Sequence, residues 1–259
     1  SICRRARRTG VPCKLETGRR NFNAEFGFGW NAVKGVFMDQ MKKISGQSRL
    51  VSEELKQQIA PLFQKMRRTV VLHAVLDFED EKSLELGSFL KAIASVNEQV
   101  QVHFWGKNEN EVIFQELHGE HLPVVGIYDE SGVYSGACFH GVPGGKEINS
   151  FLASICNAGG DGQKLERKTK KEIEKIDFSV AIKIFVSLSC HHCPHVVAAC
   201  QKIAMESDYV TADMYDAKLY SDLIEKYKIG RVPMTVINDE IVVMGQKTID
   251  EIVKSLTTM

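Results

Sequence analysis

The chain has 259 residues with 33 basic and 33 acidic side chains, so its formal net charge is zero. A neutral chain has no overall positive field to attract nucleic acid or an anionic membrane surface. Apolar residues make up 44% of the sequence and charged residues 25%, which is typical of a globular protein and excludes a disordered chain. Seven cysteines are too few for a disulfide scaffold, and their odd number leaves at least one thiol unpaired in a monomer.

The first 50 residues differ from the rest of the chain. They carry a basic cluster before Arg20 and then the stretch NFNAEFGFGW, and neither part follows a helical or strand period. We expect residues 1–50 to form an irregular arm or linker, with a short helix at 31–44. No apolar segment follows the N-terminal charges and no apolar run is long enough to cross a membrane, so we expect a cytoplasmic protein without a secretory signal or a membrane contact.

From Val51 onward the apolar residues recur with regular periods. Ser52 followed by Glu53 and Glu54 is a typical helix start, and later runs rich in β-branched residues predict buried strands. The first predicted domain, residues 51–160, has these elements: helix 51–66, strand 69–77, helix 82–96, strand 100–105, a hairpin of strands 122–130 and 131–139, and helix 144–158.

The same order of elements repeats after a joint at 159–171, which is glycine-rich and then highly charged. Leu122-Pro123 of the first copy corresponds to Val232-Pro233 of the second. A repeat of this size predicts two tandem α/β domains of one fold, each with a mixed β-sheet covered by helices. The second predicted domain, residues 161–259, has these elements: strand 180–186, helix 194–205, strand 209–216, helix 220–228, strands 232–239 and 240–245, and helix 248–256.

Cys190 and Cys193 form a C-x-x-C motif between a strand and a helix of the second domain. In this β-α context the motif predicts a thioredoxin-like redox site, with Cys190 as the exposed nucleophile and Cys193 as the shielded resolving thiol. The positive end of the helix stabilises a thiolate, and Pro194 needs no partner for an N–H in the first turn. His191 and His192 lie between the cysteines, and either imidazolium would lower the pKa of Cys190 further.

Val232-Pro233 begins the strand that we expect to face the motif. A cis proline at that point would leave neighbouring backbone open to an extended substrate segment, so Val232 and Pro233 are the predicted substrate-docking residues. The first domain keeps Pro123 but reads DFEDEKS at 77–83, where the second domain has its cysteines. We therefore expect only the second domain to exchange disulfides, and the first to shape its docking face.

A zinc site is the main alternative for the motif, because thiolate and imidazole are the ligands that zinc prefers. The potential ligands are Cys190, His192, Cys193 and His195, with Cys138 and His140 as a further pair. Since the chain has one C-x-x-C, we predict a redox pair and no metal site. We expect the remaining cysteines to be bystanders, and two histidines before Pro123 are candidates to face the active site: these are Cys3, Cys13, Cys138, Cys156 and Cys200, and His118 and His121.

The segments SLSCHHCPHVV, RVPMTVIND and HGVPGGKEINSFLASI, within a repeat whose first copy lacks the dithiol, resemble the N-terminal domain of the flavoprotein (F) component of alkyl hydroperoxide reductases. The resemblance covers 51–256. It implies two tandem thioredoxin-like folds with one redox-active disulfide, Cys190–Cys193, in the second, and the cis-proline role for Pro233. It also implies a thiol–disulfide oxidoreductase that relays electrons from a thioredoxin-reductase-like flavoprotein module to a peroxiredoxin or another disulfide substrate.

The sequence departs from that family because no G-x-G-x-x-G motif follows a strand. We therefore expect FAD and NAD(P)H on a partner or a missing module, with this chain as a piece of a larger flavoprotein or a standalone relay. A non-enzymatic interaction module with a vestigial or zinc-holding C-x-x-C is the alternative function, and a glutaredoxin-like enzyme that uses glutathione also remains open. Archaeal-type protein disulfide oxidoreductases fit less well, because they usually have a dithiol in each half.

Overall fold

A computed structural model describes residues 39–257 of the chain. Most of the predicted arm, including Cys3 and Cys13, lies outside the described residues. Within them, helices and strands follow the order that the sequence predicts. None of the helices in this part combines the length and the apolar composition that crossing a membrane requires.

The first half of the described chain contains four strands. Helix α1 begins at Ser52, whose hydroxyl accepts a hydrogen bond from the Leu55 amide and so satisfies one of the free N–H groups of the first turn. The elements are α1 (Glu53–Phe63), β1 (Val70–Leu76), α2 (Glu81–Ala94), β2 (Val100–Gly106), α3 (Glu111–Glu116), β3 (Val124–Asp129), β4 (Tyr134–His140), a 3₁₀ helix (Gly145–Glu147) and α4 (Ile148–Gly159).

The second half repeats this order with shorter final strands. A short helix leads into it, and its first strand ends four residues before Cys190. The elements are α5 (Arg167–Ile173), β5 (Val180–Val186), α6 (Cys193–Glu206), β6 (Val210–Asp216), α7 (Ser221–Lys226), β7 (Met234–Ile237), β8 (Ile241–Met244) and α8 (Ile249–Thr257).

The two halves share one sheet of eight strands in the order β2-β1-β3-β4-β6-β5-β7-β8. In each half the first two strands are parallel and the last two form an antiparallel hairpin. The halves join where β4 pairs with β6 in parallel, which brings Cys138 opposite Asp213. Because side chains alternate along a strand, this pairing places particular residues of the two halves side by side on one face.

Helices cover both faces of the sheet. Phe89 of α2, Phe151 of α4 and Val196 of α6 lie in one large apolar core on the first face. On the second face, the short helices α3 and α7 cover smaller apolar clusters through Ile113 and Leu223. Since the large core contains residues of both halves, burial of apolar surface holds the halves together as well as each half by itself.

Two features go beyond the sequence expectations. Helix α3 lies in a stretch to which the periodicity assigned no element in the first half; it is six residues long, with Asn110 as its N-cap, and is too short to show a helical period. Ile44, inside the predicted arm, is 3% exposed, and its carbonyl accepts a hydrogen bond from Lys91 of α2 at 2.9 Å. The domain limits at residues 50 and 160 stay predictions.

Candidate redox site

Cys190 and Cys193 are joined by a disulfide at the start of helix α6. Cys190 is half-buried, whereas Cys193 is completely buried. The amide of Cys193, at the first position of the helix, donates a hydrogen bond to Cys190 Sγ at 3.2 Å. Pro194 follows within the first turn, where its missing N–H removes no intrahelical bond. One sulfur is thus accessible and contacts the positive helix end, and the other is protected.

The two histidines of the motif are exposed. His192 Nδ1 lies 2.6 Å from Gln246 Oε1, so this side chain contacts the segment that follows strand β8. His191 projects from the same turn. The role of either imidazole in setting the pKa of Cys190 stays a prediction.

The Val232–Pro233 peptide is cis, as is Leu122–Pro123 in the first half. Pro233 is buried, and its carbonyl accepts a hydrogen bond from the Gly245 amide at 3.0 Å. Val232 is half-buried and packs against the large apolar core, as Cys190 does. The start of β7 and the accessible cysteine therefore border the same core.

The first half supports the loop that carries the motif. The amide of Lys146 donates a hydrogen bond to the carbonyl of Leu188, two residues before Cys190, at 2.8 Å. Gly145 has a φ of +54°, and a Cβ atom there would lie 2.4 Å from the Leu188 oxygen. Only glycine combines this left-handed conformation with so close an approach of two backbones. The sequence predicted support from the first half in general terms, but not these residues.

Glu147, at the end of the 3₁₀ helix, is a functional candidate that sequence reasoning missed. Its side chain is completely buried and the 3₁₀ helix packs against α6. Ser150 donates a hydrogen bond to Oε2 at 2.5 Å, while Oε1 has no hydrogen-bond partner among the described residues. Burial, with a smaller contribution from the Asp216 carboxylate, raises the pKa of Glu147 to about 7. In the sequence, this glutamate looks like an ordinary acid at a helix start.

Asp216 is a second buried carboxyl at this end of the sheet. It terminates β6, and the next amide, of Ala217, donates a hydrogen bond to the carbonyl of Val186 at the end of β5. Burial raises the pKa of Asp216, although the Lys218 amide donates a hydrogen bond to its carboxylate. Two carboxyl groups that hold protons more tightly than usual thus lie at the edge of the sheet from which the motif projects.

His118 and His121 do not join this site. His118 Nδ1 lies 2.8 Å from Asp213 Oδ2, and the His121 ring packs edge-on against Tyr215 and Tyr220. These partners lie on the sheet face that α7 covers, whereas Cys193 belongs to the core on the other face. The expectation placed them near the motif because they precede Pro123; the structure directs them across the junction of the halves instead.

The fold and the site together define a class: a disulfide oxidoreductase built from two tandem thioredoxin-like units, with its C-x-x-C disulfide in the second unit. A thioredoxin-domain family model matches residues 180–257. The structure of the alkyl hydroperoxide reductase flavoprotein AhpF from Enterococcus faecalis is 38% identical, with a TM-score of 0.77, and the match covers 80% of this chain and 100% of that chain. A protein disulfide oxidoreductase from Aeropyrum pernix, 20% identical with a TM-score of 0.73, has the same fold over 80% of this chain and 92% of that one.

Curated relatives lead to the same family. The AhpF protein of Staphylococcus aureus is 27% identical over 207 residues, which are 80% of this chain and 38% of the relative. The AhpF protein of Pseudomonas aeruginosa is 24% identical over 209 residues, or 81% of this chain and 38% of the relative. The chain therefore spans well under half the length of these relatives. It belongs to the family of AhpF N-terminal domains, which confirms the resemblance and the fold class inferred from the sequence.

Proposed function

We propose that this chain is a dithiol relay that accepts electrons from a thioredoxin-reductase-like flavoprotein module in the cytoplasm. It passes them to the disulfide of a peroxiredoxin or of another protein. The observation that carries the proposal is the asymmetry of the pair: Cys190 is accessible at a helix N-terminus and Cys193 is buried behind it. FAD and NAD(P)H belong to the donor in this proposal, and the chain supplies the dithiol.

The exchange proceeds in two displacements. The Cys190 thiolate attacks one sulfur of the substrate disulfide, forms a mixed disulfide and releases the first substrate thiolate. Cys193 then loses its proton and attacks Cys190 Sγ, which releases the second substrate thiolate and forms the Cys190–Cys193 disulfide. The substrate gains two electrons, and a dithiol on the flavoprotein restores the pair by the same two displacements in reverse.

The local structure supports this order of attack. The hydrogen bond from the Cys193 amide and the positive end of α6 stabilise negative charge on Cys190 Sγ, which is where the thiolate must form. Cys193 is inaccessible to a protein substrate, so it reacts with a disulfide only after Cys190 has brought a sulfur to it. Pro233 and Val232 form the border of the site, where we place the backbone of the substrate.

Trapping of the mixed disulfide tests the assignment of the two roles. In Cys193→Ser, the first displacement occurs and the second cannot, so an oxidised peroxiredoxin or insulin should remain covalently attached through Cys190. In Cys190→Ser, no mixed disulfide should form and turnover with a flavoprotein reductase should be lost. Non-reducing electrophoresis with mass spectrometry of the linked peptides measures both outcomes.

Cys156→Ser is the matched control, because Cys156 is a half-buried thiol in α4, away from the motif. This variant should turn over at the wild-type rate. A trapped adduct on Cys193 in the Cys190→Ser protein would reverse the assignment. Equilibration with glutathione buffers is a second test: a pair that forms no disulfide between roughly −300 and −150 mV is not a relay for the thiol systems of cells.

A further inference from the structure

Four side chains with metal-binding atoms meet where the two units join. His118, His140 and Asp213 place one ligand atom each within 4.8 Å of one another. Cys138 Sγ adjoins them, 3.5 Å from His140 Nε2 and 3.2 Å from Asp213 Oδ1. Thiolate, imidazole and carboxylate are the ligand types that a tetrahedral zinc ion takes in proteins.

The sheet itself creates this cluster. Cys138 and His140 are two positions apart in β4, so their side chains project from the same face. The parallel pairing of β4 with β6 sets Asp213 directly opposite Cys138. His118 arrives from the turn after α3 with a left-handed backbone, at a φ of +49°. Three ligands thus come from the first unit and one from the second.

The separations are close to those of a tetrahedral site. Zinc–nitrogen and zinc–sulfur bonds of about 2.0 and 2.3 Å place neighbouring ligand atoms about 3.3 to 3.6 Å apart. The Cys138–His140 separation of 3.5 Å lies in this range, and the Cys138–Asp213 separation of 3.2 Å is slightly shorter. His118 and Asp213 are 2.8 Å apart and hydrogen-bonded, so this pair must open by about half an ångström to admit the ion.

The orientation of His140 also suits a ligand. Its Nδ1 lies 2.7 Å from the backbone carbonyl of His121 and donates to it, which leaves the Nε2 lone pair facing Cys138. An outer hydrogen bond of this kind orients most metal-binding histidines. Cys138 and His140 are completely buried and Asp213 is 1% exposed, while the His118 side chain is 40% exposed and forms the entrance to the cluster.

Charge balance favours a divalent cation over the free cluster. When zinc enters, Cys138 loses its proton to solvent and the sulfur binds the metal as a thiolate. The two positive charges of the ion then match one thiolate and one carboxylate, so no net charge stays buried. We propose that Cys138, His140, His118 and Asp213 form a structural zinc site that links the two units.

The proposed site is separate from the redox pair. Phe139 and Met214, which alternate with Cys138 and Asp213 along the strands, lie in the large core that includes Cys193. Cys138 and Asp213 therefore project from the opposite face of the sheet. The proposal departs from the sequence expectation of no metal site, and it assigns zinc to ligands other than the C-x-x-C.

Cobalt binding to a full chain with the redox cysteines replaced tests this site directly. In Cys190→Ser/Cys193→Ser, stripped of metal by a chelator, one Co²⁺ per chain should bind with the intense visible bands of tetrahedral cobalt and a thiolate-to-cobalt charge-transfer band. Zn²⁺ should displace it and abolish both features. Added Cys138→Ser should remove the charge-transfer band, because that sulfur is the proposed thiolate.

Two ligand variants in the same background measure the contribution of each side chain. His140→Ala and His118→Asn should each weaken zinc binding by more than about tenfold, since losing even an outer-shell partner costs about 10- to 100-fold. His118→Asn keeps the fold testable, because the residue is partly exposed and asparagine tolerates a left-handed backbone. His103→Asn is the control, an exposed histidine elsewhere in the first unit, and should bind zinc as the background does.

Three results would overturn the proposal. The first is a background protein that binds neither cobalt nor zinc, which would leave the cluster as a hydrogen-bond network only. The second is metal binding that persists unchanged in His118→Asn and His140→Ala. The third is zinc that binds the wild-type chain and is lost only when Cys190 and Cys193 are replaced, which would place it on the motif. In the expected case zinc also raises the melting temperature of the wild-type protein, because it binds the folded state.

Discussion

At the scale of single residues, burial distinguishes groups of similar chemistry. Cys190 and Cys193 are three positions apart, yet one is partly accessible and the other is covered by the core. Glu147 and Glu130 are both acids near the ends of elements, but Glu130 is exposed and Glu147 is completely buried with one oxygen unpartnered among the described residues. Removing a carboxylate from water favours its protonated form, which explains the raised pKa of Glu147.

This pKa predicts a stability that depends on pH. A carboxyl whose pKa rises from 4.5 to about 7 on folding holds its proton in the folded state and releases it in the unfolded state between these values. The free energy of unfolding should therefore fall as pH rises through this interval, by about 3 kcal/mol. Glu147→Gln removes the titrating group and should remove this part of the pH dependence, measured by urea unfolding between about pH 4 and about pH 8.

Glu130→Gln serves as the control for the loss of one acid. Its pH dependence should match that of the wild type, because the side chain is exposed in both states. Asp216, the charged neighbour of Glu147, is present in every variant, so its own titration contributes to all the curves. A Glu147→Gln curve parallel to the wild type would show that the buried carboxyl does not titrate in this range.

At the scale of elements, turns decide where the motif sits. Strand β5 and helix α6 deliver Cys190 and Cys193 to the edge of the sheet, but the loop between them is held from outside. The backbone of the first unit approaches Leu188 so closely that Gly145 has no room for a side chain. The 3₁₀ helix that contains Gly145 thus couples the redox-inactive unit to the active one.

Gly145→Ala should displace this loop. The left-handed conformation is one cost of the substitution, and the contact with the Leu188 oxygen is a second. Gly132→Ala isolates the first cost, because Gly132 has a φ of +77° and no atom within 4 Å of an added Cβ. The Gly145 variant should lose about 1–3 kcal/mol more free energy of unfolding than the Gly132 variant.

Urea unfolding measures the two stabilities, and the rate of alkylation of the reduced protein at Cys190 reports the position of the loop. We expect the alkylation rate to change in Gly145→Ala and to stay at the wild-type value in Gly132→Ala. Equal losses of stability in the two variants would show that the loop yields to a methyl group at no cost, and that the first unit does not restrain it.

At the scale of the whole molecule, the two units form a single continuous structure. The sheet runs through β4 and β6, and α4 packs against α6 across the junction. Gln201 of α6 accepts a hydrogen bond from Ser154 of α4 and donates one to the Cys138 carbonyl at 3.0 Å. A unit separated from its neighbour would expose a strand edge and part of the large core, so we expect the units to unfold together.

One cooperative transition is the corresponding prediction. The chain has two tryptophans, so Trp30→Phe leaves Trp105, whose indole N–H donates to His73 at 2.9 Å, as a fluorescence probe of the first unit. Cys200 is completely buried in the second unit, and pulse alkylation with mass spectrometry reports its exposure. The two probes should give the same urea midpoint and slope. A fluorescence transition at lower urea than that of Cys200 labelling would mean that the first unit unfolds alone.

Local patterns were sufficient for much of the fold and for the centre of the site. Strands such as Val180–Val186 and helices with a regular apolar period were predicted within a few residues. Cys190 and Cys193 were recognisable because the chemistry depends on their spacing and on the strand and helix beside them. Helix α3 was missed, since six residues carry too little periodicity to identify a helix.

By itself, therefore, the sequence determined the repeated α/β architecture, the family, and the position of the only C-x-x-C in the chain, because each depends on neighbours along the chain. Tertiary structure decided which groups are buried and which meet across the junction. Glu147 became a buried acid through packing of the 3₁₀ helix against α6, and Cys138 came to face Asp213 through the pairing of β4 with β6. No local period encodes such a meeting, since its partners are 75 residues apart and only strand register brings them together.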